Sequence, residues 1–230
     1  PPRSTLDRSS AASDVYKRQL LNIFAIFFCN KLTEGSSPYT SSPNGESILV
    51  IGKDGYAKQI SALDAGDRSK DVELVTGRNV DLNDVSWHPR GQAALIAGDL
   101  GIALRYETSD HGVTLVNGTG SIIGRNLTTV EWRQAGDYAY FGAEDGGVWK
   151  FAEGIGFVAL DDSRNSSITG ISCHRNIDIC VMSTLQDGLA IISPTHNLTW
   201  LSGTSSHTWI DVDCADPILN ECVGFASGLR

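Results

Sequence analysis

The stretch LNDVSWHPRGQAALIAGDLGIALRY, Leu82–Tyr106, decides the fold. Val85 and Trp87 alternate with polar neighbours, as on a strand with two unlike faces, and a turn follows at His88–Gly91. Ala93–Ala97 is then continuously apolar, as on a strand covered on both sides, and Asp99–Gly101 leads into the alternating run Ile102–Tyr106. Strand, turn, strand, tight hairpin and strand make one unit of antiparallel sheet.

The same order returns along the chain. LTTVEW (Leu127–Trp132), YAYFG (Tyr138–Gly142), EDGG (Glu144–Gly147) and VWKF (Val148–Phe151) form one copy. ITGISC (Ile168–Cys173), ICVM (Ile179–Met182), QDG (Gln186–Gly188) and LAII (Leu189–Ile192) form another. WIDVDC (Trp209–Cys214) and ECVGF (Glu221–Phe225) begin a further one, and Pro43–Gly45, Ile48–Gly52, Asp54–Gly55 and Tyr56–Ile60 mark an earlier one. The hairpin glycines Gly55, Gly101, Gly146, Gly188 and Gly228 stand 46, 45, 42 and 40 residues apart. No stretch of Tyr39–Arg230 shows helical apolar spacing with caps, so neither a crossover helix nor a parallel sheet is expected. A four-stranded sheet cannot cover both its faces alone; stacking such sheets radially does, which predicts an all-β, partial β-propeller. Its blades fall near 39–81, 82–126, 127–167, 168–208 and, incomplete, 209–230, about four and a half four-stranded antiparallel blades in an open arc. A sandwich or a β-solenoid shares the turn density but explains the forty-residue period less well. Because the last copy stops where its third strand is due, Val223 and Phe225 are expected to stay partly uncovered and the isolated chain to be poorly stable.

VSWHPRG (Val85–Gly91) followed by LIAG (Leu95–Gly98) resembles the strand-turn-strand signature of WD-repeat-like propellers, without the terminal Trp-Asp pair. TSDHGVT (Thr108–Thr114) resembles the box of Asp-box propellers of the photosystem assembly factor type, carried by Thr108, Asp110, Gly112 and Thr114, with Leu115 where that family prefers Trp. The resemblance implies a structural turn in which the aspartate accepts backbone N–H groups, the glycine takes the unusual dihedral and the last residue packs inward. Asp-box folds include sialidases, so it also implies a glycosidase-like alternative whose arginine cluster and carboxylates would lie in blades outside this sequence.

Residues 1–19 (PPRSTLDRSSAASDVYKRQ) have no helix or strand period and resemble an in-frame translated sequencing adapter, making the chain a translated assembly fragment. Residues 20–38 begin with LLNIFAIFFCN, about half the length of a membrane span, which reads as a signal-peptide or anchor remnant or as a linker. Membrane attachment through a missing terminal segment is compatible with this. The formal charge of −9, with 18 Lys and Arg against 27 Asp and Glu, argues against a nucleic-acid partner.

Cys173 with Cys180, and Cys214 with Cys222, occupy the places that hold Trp87 with Ala94 and Trp132 with Ala139 in earlier blades, opposed on neighbouring strands. Disulfides are therefore predicted, and with them an oxidising compartment, secreted or at the cell surface. Four reduced, buried thiols remain the alternative, and zinc held by Cys173, His174 and Cys180 is weaker, lacking the usual spacing. Asn117, Asn126, Asn165 and Asn197 each open an N-x-[ST] triplet in outer strands or between blades, where a glycan would be exposed. Arg90, Arg133 and Arg175 recur in the first turn of successive blades, as a basic rim arc or as solvated turn residues. Asp211, Asp213 and Asp216 suggest calcium less well than a channel-facing polar row. No nucleophile elbow, phosphate loop, zinc-protease pair or dinucleotide fingerprint is present. The expectation is a non-catalytic scaffold without cofactor or metal that binds protein or polysaccharide, with a glycosidase or an intracellular assembly platform as alternatives.

Overall fold

The computed structural model describes residues 39–61, 67–161, 165–174, 176–214 and 222–227. The readings placed on Pro1–Gln19, residues 20–38, Arg175, Asp216 and Gly228 lie outside these. The described chain is all-β and carries only 3-10 turns besides strands. Blade 1 comprises β1 (Tyr39–Ser41), β2 (Ser47–Ile51), β3 (Ala57–Ser61) and β4 (Val72–Glu73). Blade 2 follows with β5 (Leu82–Trp87), β6 (Ala93–Gly98), β7 (Ala103–Glu107) and β8 (Val113–Leu115). β9 (Leu127–Trp132), β10 (Ala139–Ala143), β11 (Val148–Ala152) and β12 (Gly156–Asp161) make blade 3; β13 (Ile168–Cys173), β14 (Cys180–Thr184), β15 (Leu189–Ile192) and β16 (Leu198–Trp200) make blade 4. A fifth sheet holds the pair β17 (Trp209–Asp213) and β18 (Val223–Ala226). Each sheet is an antiparallel meander in sequence order, and the first strands β5, β9, β13 and β17 lie side by side. This is a partial β-propeller, with first strands innermost.

The second strand of each blade is apolar throughout because its two faces serve different seams. In β6, Ala94 and Ile96 pack with Leu49, Ile51 and Ala57 of blade 1. Leu95 and Ala97, pointing the other way, pack with Leu127, Trp132, Phe141 and Trp149 of blade 3. The same division places Tyr140 and Val148 of blade 3 against Ile171, Cys173 and Met182 of blade 4. Trp132, Trp149 and Phe141 are fully buried, and burial of such side chains stabilises each seam by roughly 1.5–3 kcal/mol apiece.

The hairpin between second and third strands docks onto the segment that enters the next blade. Gly101, at φ 75°, donates its N–H to Arg125 O at 2.6 Å, and a Cβ there would sit 2.1 Å from Ile122 O. Gly55 repeats the arrangement one blade earlier, donating to Val80 O at 2.7 Å, with Arg78 O 2.0 Å from where its Cβ would be. Only glycine tolerates both the dihedral and the approach.

The Thr108–Thr114 turn differs in detail from the box it resembles. Asp110 Oδ1 accepts the Gly112 N–H at 2.8 Å, and Thr108 Oγ1 donates to Gln92 O at 2.9 Å. The left-handed dihedral, however, falls on His111 (φ 56°) and not on Gly112. His111 is held there by its Nδ1, 3.0 Å from the Tyr106 hydroxyl. Leu115 is 41% exposed instead of packing inward, because β8 is a short strand at the edge of its sheet, with no further strand beside it among the described residues. Val223 and Phe225 on β18 are 53% and 52% exposed.

Candidate functional site

The innermost strands share one register, so equivalent positions can be read as columns. Leu82, Leu127, Ile168 and Trp209 open the strands; Asp84, Thr129, Gly170 and Asp211 come third; Ser86, Glu131, Ser172 and Asp213 fifth; Trp87, Trp132, Cys173 and Cys214 sixth. The second, third and fifth columns form bonds from blade to blade. At the second position, Asn83 Nδ2 donates to Leu127 O (2.8 Å), Thr128 Oγ1 to Ile168 O (2.5 Å) and Thr169 Oγ1 to Trp209 O (3.0 Å). At the fifth, Ser86 Oγ accepts the Trp132 N–H and Ser172 Oγ the Cys214 N–H, each at 3.0 Å, and Glu131 accepts the Cys173 N–H. At the third, Asp84 Oδ2 accepts both the Val130 N–H (2.8 Å) and the Thr129 hydroxyl (2.9 Å).

The third and fifth columns also line a groove of about 180 Å³ along the inner strands, with Asp84, Thr129, Glu131, Gly170 and Asp211 on its wall. Gly170 leaves room for Asp211, whose Oδ1 would lie 2.4 Å from a Cβ at that position. The groove is acidic, and burial raises the pKa of its carboxyl groups. Burial pushes Asp84 up to about 6 against the opposing pull of the Val130 and Thr129 hydrogen bonds, with Asp211 adding like-charge repulsion. Burial pushes Glu131 up to about 8, helped by the charges of Asp84 and Asp213, although Ser86 Oγ donates to its Oε2 at 2.9 Å. Asp211 is raised as well, chiefly by desolvation. A neutral Glu131 matches these surroundings, since it accepts from Ser86 and the Cys173 N–H without placing a charge beside Asp84 and Asp213. Asp84 and Glu131 were not singled out from sequence; aligning the columns of the repeat, where Asp, Thr, Gly and Asp share a place, is the signal that finds them.

Of the three rim-turn arginines, Arg90 and Arg133 lie among the described residues. Arg90 is exposed, whereas Arg133 pairs with Asp137 (2.8 Å) and Asp178 and lies 5.0 Å over the Tyr138 ring. His88 performs the joining role there. Its Nδ1 accepts the Arg90 N–H, so the proton sits on Nε2, which donates to Gly136 O at 3.0 Å while the ring packs edge-on to Trp132.

Cys173 and Cys180 are directly opposed and joined by a disulfide, in the register that pairs Trp87 with Ala94 and Trp132 with Ala139. Cys214 and Cys222 are joined at the same place in the last sheet. Since Cys173 and Cys180 bond to each other, neither offers a thiolate to zinc beside His174, whose Nδ1 accepts the Asn176 and Ile177 N–H groups. Of the sequon asparagines, Asn117, Asn165 and Asn197 are exposed. Asn126 departs from that expectation: it is half-buried, its Oδ1 accepts the Leu100 N–H and its Nδ2 donates to Glu144 Oε2 at 3.0 Å.

No family model and no curated protein matches this chain. Solved structures do. A chain of "COPII on membranes, outer coat vertex" aligns with a TM-score of 0.62 at 11% identity, over 76% of this chain and 51% of that one. A chain of "The structure of the COPII coat assembled on membranes" aligns with the same TM-score and identity over 76% of this chain and 28% of its own length. The present chain thus spans about half, or less, of these neighbours, and at such identity the likeness is one of fold.

Proposed function

We propose that the chain belongs to a non-catalytic binding scaffold, secreted or held at the cell surface, whose propeller loops engage a protein or polysaccharide ligand. The observation that carries this reading is the pair of cross-strand disulfides at seams where earlier blades use Trp and Ala. Such bonds persist in oxidising compartments and are rare in the cytosol. The disposition of the groove carboxyls supports the non-catalytic part: Asp84 and Glu131 spend their acceptor capacity on N–H and hydroxyl groups of adjoining blades. A glycosidase needs a carboxyl pair free to reach a glycosidic oxygen and an anomeric carbon.

A second reading, an intracellular assembly platform, draws on the fold shared with coat proteins. Thiol state separates the two. Under native, non-reducing conditions the secreted scaffold leaves Cys173, Cys180, Cys214 and Cys222 unreactive towards an alkylating agent until a reductant is added. Free thiols in the protein isolated from its own cells would favour the platform. Catalysis is tested by offering a panel of aryl glycosides alongside a glycan array. Binding without turnover is expected, and turnover abolished by Glu131→Gln would establish the glycosidase instead.

A further inference from the structure

We propose that Asn117 carries an N-linked glycan seated in a groove between the outer edges of blades 2 and 3, while Asn126, despite its identical triplet logic, stays unmodified. The inference rests on the secretory reading above and adds a specific site to it.

Asn117 follows β8, the outer strand of blade 2, and opens the triplet Asn117-Gly118-Thr119. It is exposed, and its side chain makes no hydrogen bond to any described residue. It sits on the wall of a groove of about 400 Å³ that Leu115, Gly118, Phe151, Ile155 and Gly156 also line. At one end of the groove the two blades touch through glycines: a Cβ on Gly118 would lie 3.1 Å from Gly156 Cα, and both residues hold left-handed dihedrals (φ 82° and 88°). Nothing from the described chain fills it. Beside the Arg105–Glu153 ion pair that also lines it, Ile155 and Leu115 leave apolar area bare, 74% and 41% exposed. A soluble surface seldom leaves such apolar area bare without a use for it. The C–H face of a pyranose attached at Asn117 would lie against Ile155 and Leu115, while its hydroxyls stay in water.

The modification is a group transfer without redox change. Asn117 Nδ2 bonds to the anomeric carbon of an oligosaccharide carried on a polyprenyl diphosphate. The carbon–oxygen bond to the diphosphate breaks, its electron pair leaves with the polyprenyl diphosphate, and one amide proton passes to a base of the transferase. In the folded chain both ends of the Asn126 amide are engaged, to Leu100 N–H and Glu144 Oε2, at the entry to β9, so a glycan on its Nδ2 would crowd these contacts. Its backbone carbonyl also accepts the Glu144 N–H at 2.9 Å.

The test is secretion of the full chain from a eukaryotic cell, followed by glycopeptide mass spectrometry before and after enzymatic deglycosylation, with Asn117→Gln and Asn126→Gln variants run beside it. Sugar on Asn117 in most copies, loss of one glycan's mobility shift in Asn117→Gln and no change in Asn126→Gln are expected. Deglycosylation should also raise hydrogen exchange at residues 154–157, where the sugar is seated. Paired cysteines with Asn165 or Asn197 modified but Asn117 bare, or sugar on Asn126, overturn this inference and leave the secretory reading intact. Free thiols together with no sugar at any triplet overturn both. Unchanged exchange at residues 154–157 in a chain modified at Asn117 refutes the seating.

Discussion

Replacing Glu131 with Gln separates the charge of this side chain from its hydrogen bonds. The unfolded chain releases the Glu131 proton near its ordinary value of 4.5, whereas burial in the groove holds it up to about 8 in the folded protein. Between those values the folded state carries the extra proton, so raising the pH favours unfolding: the contribution is full below 4.5 and is lost as pH rises towards 8. Integrating to about pH 7 gives a loss of about 3 kcal/mol, and allowing for water in the partly open groove leaves about 2 kcal/mol. Glutamine accepts from Ser86 and from the Cys173 N–H as the acid does but cannot ionise. The variant should therefore gain about 2 kcal/mol on wild type between about pH 4 and pH 7. Urea unfolding at several pH values, with disulfides intact, measures the difference directly. Parallel stability profiles for wild type and variant would falsify the assignment of a buried, proton-holding Glu131.

Asp84→Asn should show the same sign in a lower window, between 3.8 and about 6, and a profile unchanged there would argue against its burial. Gly101→Ala, which drives a Cβ towards Ile122 O, should lower stability by about 2 kcal/mol more than Gly77→Ala, which meets nothing within 4 Å; thermal unfolding of the pair decides. Thr128→Val removes one second-position bond, to Ile168 O, and should cost about 1 kcal/mol by the same assay, with equality to wild type contradicting the seam role. Opening either disulfide through its paired Ser variants should cost about 2 kcal/mol, as expected for such short loops, and a neutral result would mean the strand register alone holds Cys173 against Cys180.

Much of the fold could be read from residues. The forty-residue recurrence, the two-faced first strand beside the fully apolar second one and the glycine hairpins state the antiparallel blades directly, and the Trp-Ala columns place the cysteine partners. The groove was less legible. Its carboxyls become visible only when strands from successive blades stand side by side, since Asp84 and Thr129 are far apart in sequence yet share a bond. Exposure is likewise a property of packing: four N-x-[ST] triplets look equivalent until Asn126 is found tied to Leu100 and Glu144. The Thr108–Thr114 turn shows the converse, a motif whose spelling suggests a glycine dihedral that the chain assigns to His111, because Tyr106 offers the imidazole an anchor.

Most of the bonds along the inner strands are one-sided. A side chain of one blade meets the main chain of the next, as with Ser86 and the Trp132 N–H or Ser172 and the Cys214 N–H. Main-chain groups are present whatever the residue. At such positions compatibility is written on the upstream member, whereas Asp84 with the Thr129 hydroxyl and Ser86 with Glu131 engage the downstream side chain as well. A main-chain partner explains how the sixth column passes from tryptophan to cysteine while Ser86 and Ser172 keep the same hydroxyl. It also gives a blade a direction: a duplicated copy inserted behind another would find the main-chain half of these seam bonds already in place.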